Sequence, residues 1–176
     1  PQSPYEILDP EFRWFPADEI LRETTFEKLL PPLVHELRKQ IKEWRESGYD
    51  GVSDTSRTLL NWWFKTDHPI THADGSISNF QYYFAQRESL EAIIYLHEKV
   101  KIIDKHDLLK FDSEGVVSPQ LIEETWRRYV VKMATGAGKT KVMSLILAWA
   151  YFHNLYEEGS DLARNFLLIA PNIIVL

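Results

Sequence analysis

Residues Lys132 to Val142 read "KMATGAGKTKV", and no other stretch limits the fold so strongly. Two glycines, Gly136 and Gly138, stand beside a lysine and a threonine. A short apolar run (Tyr129, Val130, Val131) comes before them, and the long apolar segment "KTKVMSLILAWAYFHNLY" comes after. That order predicts a strand, a tight turn and a helix. Further on, "NFLLIAP" is a second apolar run of strand length, stopped by Pro171. Strand, turn, helix, strand is a βαβ unit, in which buried parallel strands read as unbroken apolar runs.

The turn carries the parts that hold a phosphate. Gly136 and Gly138 let backbone N–H groups turn inward around an anion. The helix that follows points its positive end at the same spot. Lys139 can reach β- and γ-phosphates as a point charge, and the Thr140 hydroxyl is placed to ligate Mg²⁺. The binding stretch runs through Thr135, Gly136, Ala137, Gly138, Lys139, Thr140 and Lys141. The full pattern G-x-x-x-x-G-K-[ST] has Met133 at its first position, so its strict form is not met. An ordinary glycine turn is the plainer alternative. The flanking strand and helix patterns weigh against it.

The chain has 176 residues, 44% of them hydrophobic, with six Trp, so it can bury a core. A net charge of −6 argues against a free-standing nucleic-acid binder, which needs clustered Lys and Arg, but leaves room for a local basic groove. The absence of Cys excludes disulfides, thiolate nucleophiles and Cys-ligated zinc. The first residues show no signal pattern. The apolar segment "VMSLILAWAYF" is too short to span a bilayer. The expectation is a soluble, cytoplasmic protein with no membrane partner.

Before the glycine turn the pattern is helical. Residues 1–24 read as an extended arm with Pro4, Pro10 and Pro16. "PPLVHELRKQIKEWRESG" predicts a helix on Leu33, Val34, Leu37, Ile41 and Trp44, with Pro32 in its first turn and Gly48 as its cap. "TSRTLLNWWFK" predicts a second, with Leu59, Leu60, Trp63 and Phe64 on one face. Thr66 to Asn79 reads as a turn-rich loop. It divides a helical region, 1–78, from the portion 79–176. "FQYYFAQRESLEAIIYLHEKVKI" predicts an amphipathic helix on Leu90, Ile93, Ile94, Tyr95 and Leu96, and "PQLIEETW" starts another. His68, His72 and Asp74 are read as loop residues rather than metal ligands, because Pro69 and Gly75 break a helix there. "NWWF" is read as packed core or a docking face, and Arg127 and Arg128 as balancing Glu123 and Glu124.

"MATGAGKT" resembles motif I of superfamily 2 helicases and translocases, which do not require the first glycine. It is most similar to the restriction subunits of type III, and also type I, restriction enzymes. The resemblance covers roughly Phe80 to Leu176. In that family a glutamine near the start of a helix reads adenine, and "YFAQRESLEAIIYL" resembles that element. Gln86 then takes the base, since its amide offers a donor and an acceptor to the N6 and N7 edge. The alternative is a polar residue on an exposed helix turn. "LLIAPNIIVL" resembles motif Ia, which gives Pro171 and Asn172 a contact with the nucleic-acid backbone. Its alternative is a structural turn.

The resemblance implies an α/β fold: a partial RecA-like P-loop domain, a parallel sheet with flanking helices, preceded by an α-helical region. It implies ATP and Mg²⁺ as cofactors, Lys139 and Thr140 as catalytic residues and Thr140 as the metal ligand. It also implies double-stranded DNA as the track and a methyltransferase subunit as a partner. The family's Asp-Glu-x-His box and second RecA-like half are not in this sequence, and the chain stops on "IIVL". The expectation is the N-terminal piece of a longer protein, binding nucleotide without turning it over alone. Two further readings stay open. One is a nucleotide-sensing interaction module that docks a partner through Trp14, Trp62 and Trp63. The other is a P-loop phosphotransferase, for which neither an acceptor site nor a lid is visible.

Overall fold

A computed structural model describes residues 3–5, 33–111 and 129–169. Most of the expected arm, the "PQLIEETW" segment, Arg127, Arg128, Pro171 and Asn172 lie outside the described residues. Helix α1 spans Leu33–Glu46, with Glu36 in its first turn and Arg45 in its last, as the helix dipole favours. Ile41 and Trp44 fall on one side and are buried. Beyond Gly48 the chain folds back. The Tyr49 N–H donates to Trp44 O at 3.0 Å, and the Trp44 indole N–H donates to Asp50 O at 2.9 Å.

Helix α2, Asp54–Lys65, starts at Ser53, whose hydroxyl accepts the Ser56 N–H at 3.1 Å. Leu60 and Trp63 turn inward with Leu59 and Phe64 packed beside them. Trp62, its neighbour, is 55% exposed and lies edge-on to His68.

The segment expected as a loop, Thr66 to Asn79, folds into a hairpin instead. Strand β1, Pro69–Thr71, pairs antiparallel with β2, Ile77–Asn79. Asp74-Gly75 makes the turn, closed by Gly75 N–H to His72 O at 2.9 Å and His72 N–H to Ser76 O at 2.8 Å. Asp-Gly between short apolar runs favours this geometry.

Helix α3, Phe84–Ile94, continues into a π-helical turn, Tyr95–Lys99, and a 3₁₀ turn follows at Lys105–Phe111. Helix α4, Lys139–Tyr156, begins directly after the glycine turn. One core joins α1, α2, α3 and α4: Ile41, Trp44, Leu60, Trp63, Leu90, Ile94, Leu145 and Trp149 belong to it. It runs without a break across residue 79.

The expected parallel sheet does not form among the described residues, where β1–β2 is the only sheet. Tyr129 to Val131 and residues 165–169 are irregular. A strand is held entirely by its neighbours, and neither run has a ladder partner here. Val130 is 92%, Leu167 85% and Ile169 84% exposed. Helix α4 is apolar on nearly every side, yet only one side is covered. Val142, Leu145, Trp149 and Ala150 are buried, while Met143, Tyr151, Phe152 and Leu155 are exposed. Among the described residues no helix is long and apolar enough to cross a membrane.

Candidate functional site

The glycine turn is shaped by two left-handed residues. Gly136 has φ +78° and Gly138 has φ +79°. Gly138 is the N-cap of α4, and its carbonyl accepts from Lys141 N–H at 3.0 Å and Val142 N–H at 3.3 Å. The turn is closed by Ala137 N–H to Ala134 O at 3.3 Å. Lys139 bends back so that its Nζ donates to the same Ala134 carbonyl at 3.1 Å. Lys139 and Thr140 are both exposed, as are Thr135 and Gly136. The first N–H groups of a helix lack intrahelical partners, so an anion seated over this turn meets N–H groups, a lysine and a hydroxyl together. The Thr140 oxygen is a hard donor of the kind Mg²⁺ takes when phosphates and water fill its other positions.

Gln86 is brought to this loop. It is the third residue of α3 and is buried, and its Oε1 accepts the Tyr83 N–H at 3.0 Å. Its Nε2 faces Gly138 so closely that a Cβ on Gly138 would stand 2.1 Å from it. The plain alternative, an exposed turn residue, does not describe this side chain. Lys141, on the first turn of α4, carries its Nζ over the Phe80 ring, 5.6 Å from the centroid. The chain-distant residues Gln86, Gly138, Lys139, Thr140 and Lys141 therefore share one locality. Pro171 and Asn172 lie outside the described residues.

Two buried polar clusters hold the helices that carry the site. Glu91 of α3, fully buried, accepts from Arg45 of α1 through Nε, at 3.0 and 2.9 Å, and through Nη2. It also accepts from Arg87 Nε at 2.8 Å and Tyr49 Oη at 2.7 Å. Tyr49 in turn accepts from Arg87 Nη2 at 2.9 Å. Burial, with the Glu91 charge beside it, pushes the Tyr49 phenol above its ordinary value. Burial works against the Arg87 charge, but Glu91 and Tyr49 outweigh it and hold the guanidinium more firmly protonated. Glu88, paired with Arg38 at 2.9 Å, is raised by burial despite that partner.

The second cluster pins the far part of α4. The Trp149 indole N–H donates to Ser56 Oγ at 2.7 Å and to Glu98 Oε1 at 3.1 Å. Glu98, on the π-helical turn, also accepts the Ser53 N–H at 2.8 Å and the Ser56 hydroxyl. Neither cluster left a mark in the sequence pattern.

A family model described as type III restriction enzyme, res subunit, matches residues 79–176. No curated protein and no solved structure matches the chain.

Proposed function

The chain belongs to the family of type III restriction enzyme res subunits, and from that premise we propose that it is the ATP-binding part of a DNA helicase or translocase. Family membership carries a RecA-like fold and an ATP-dependent, helicase-like role. The observation that supports the finer reading is the turn itself. Two left-handed glycines, a helix N-terminus, Lys139 and Thr140 converge where a triphosphate with Mg²⁺ would sit.

Lys139 leaves Ala134 for the β- and γ-phosphates, Thr140 ligates Mg²⁺, and residues 135–138 and Lys141 line the phosphates. Gln86 offers its amide to the adenine edge. Pro171 and Asn172 touch the DNA backbone. Residues 129–131 and 165–169 become parallel strands of the RecA-like sheet, and their bare apolar side chains, with the uncovered side of α4, support this. Helices α1 and α2, which precede residue 79, share one core with α3 and α4 and so support the glycine turn from beneath. The protein works in the cytoplasm on double-stranded DNA, alongside a methyltransferase subunit. Turnover needs a carboxylate at Mg²⁺ beside Thr140, a group that orients water, and arginines from a second RecA-like half. These are assigned to a longer parent, so the 176-residue chain binds ATP and hydrolyses it negligibly.

The test is ATP binding by the chain and by Lys139→Ala, measured by equilibrium dialysis with Mg²⁺ present. The variant is expected to lose binding, and equal retention by both would end the reading. In the parent, DNA-stimulated hydrolysis is expected. ATP-dependent partner capture without DNA stimulation would favour the interaction module, to which the exposed Trp62 lends some support.

A further inference from the structure

Residues Ser3 to Tyr5 lie against α1 and the start of α3, far from both in sequence. Ser3 Oγ accepts the Tyr5 N–H at 3.2 Å, and Arg38 Nη2 of α1 donates to Pro4 O at 3.4 Å. The partly buried Tyr5 ring then meets two guanidiniums, with the central carbons of Arg45 and Arg87 at 4.9 and 5.5 Å from its centroid. It also meets the Phe84 ring edge-on at 5.0 Å. Arg45 and Arg87 both donate to Glu91, and guanidinium donors lie in the plane of the group. Their flat faces are therefore what remains for a ring to pack on. Phe84 and Arg87 stand on either side of Gln86 in the first turn of α3.

Resting on the reading of Gln86 as the residue that meets adenine, we propose that Tyr5 is a positioning residue, which clasps Phe84 and Arg87 and so holds the amide of Gln86 beside Gly138. The first turn of a helix has N–H groups without intrahelical partners and is where helices fray. Gln86 Nε2 sits so close to Gly138 that a small rotation of this turn carries it off the loop. One cation–π contact is weak, but a single Tyr5 ring makes two of them and an edge contact as well. The phosphate end of the site is held by other means, since α4 is pinned through Trp149 to Ser56 and Glu98. Loss of Tyr5 therefore acts on the base and spares the phosphates. The ring makes these contacts without its hydroxyl, so phenylalanine serves in its place.

The test measures ATP, GTP and inorganic tripolyphosphate binding to the 176-residue chain with Mg²⁺, by titration calorimetry. Tyr5→Ala is expected to weaken ATP about fivefold, the scale of one or two lost ring–cation contacts, and to leave GTP and tripolyphosphate unchanged. Tyr5→Phe is expected to bind ATP as the wild type does. An ATP affinity untouched by Tyr5→Ala overturns the proposal. An equal loss for all three ligands also overturns it, and makes the arm a general brace. Failure of Tyr5→Phe to keep the wild-type affinity overturns it too, because the ring alone then does not suffice. If the wild type binds ATP no better than GTP, the adenine reading of Gln86 falls and this inference falls with it. If it binds none of the three, the P-loop reading itself has failed and carries both away.

Discussion

Replacing Glu91 by Gln tests what holds α3, and with it Gln86, against the rest of the chain. The carboxylate is fully buried and is the shared acceptor for Arg45, Arg87 and Tyr49. The amide keeps the shape but removes the charge, and its NH₂ must face one of those donors. Two guanidiniums are then left around a neutral group. Breaking a buried pair from one side costs about 3–5 kcal/mol, a large part of the roughly 5–15 kcal/mol by which domains are stable. Trp44, Trp63 and Trp149 lie in the core, so urea unfolding can be followed by tryptophan fluorescence. With an m-value of about 1–3 kcal/mol per molar urea, the midpoint should fall by about 2 M without a change in slope. Glu88→Gln is the control. Its partner Arg38 is partly exposed, and burial already disfavours its charge, so its cost should stay below about 1 kcal/mol. Equal midpoints for the two variants would refute the claim that Glu91 is the keystone of this cluster.

Three further outcomes are expected. Trp149→Phe leaves Ser56 and Glu98 without their indole donor and should cost about 1–3 kcal/mol in the same urea assay. Gly138→Ala forces a side chain into a left-handed backbone and against Gln86. It should lower stability by at least about 1–2 kcal/mol, and adding Gln86→Ala should recover only the part due to the clash, as thermal melts of both variants would read. Thr55 hydrogen-bonds Glu157 through its side chain and its N–H and holds that carboxyl below its ordinary range. Its stabilisation is therefore present at neutral pH and lost as pH falls through the folded-state value, so Glu157→Gln should matter at pH 7 and not in strong acid. Glu88 has the opposite sign, contributing in acid and losing that contribution as pH rises through its raised value.

The helices were legible because their signals are local. Ile41 with Trp44, Leu60 with Trp63, and Leu90 with Ile94 sit three or four residues apart, and Gly48 marks the end of the first helix. The glycine turn was legible for the same reason, since Gly136 and Gly138 are needed where φ is positive. The hairpin left only Asp74-Gly75 as its mark, because its strands are three residues long and exposed throughout, with no alternation between a buried and a solvent face. The runs at 129–131 and 165–169 read as strands, but a strand depends on partners elsewhere in the chain, and none pairs with them among the described residues. Glu91 with Arg45, and Trp149 with Ser56, meet across 46 and 93 positions, a distance no periodicity reports.

The π-helical turn at Tyr95–Lys99 makes this chain less tolerant of a change in length than of a change in letter. Such a turn holds one residue more than an α-helical turn would. Deleting that residue would give a smoother helix with better backbone geometry. It would also rotate everything after it by about 100° around the axis, the angle per residue in an α-helix. Glu98 would then point away from Ser53, Ser56 and Trp149. A family of variants carrying single deletions through this turn should thus fail together, while many substitutions at the exposed Lys99 pass. The register of these five residues, as much as the identity of Glu98, ties helix α4 to the rest of the core.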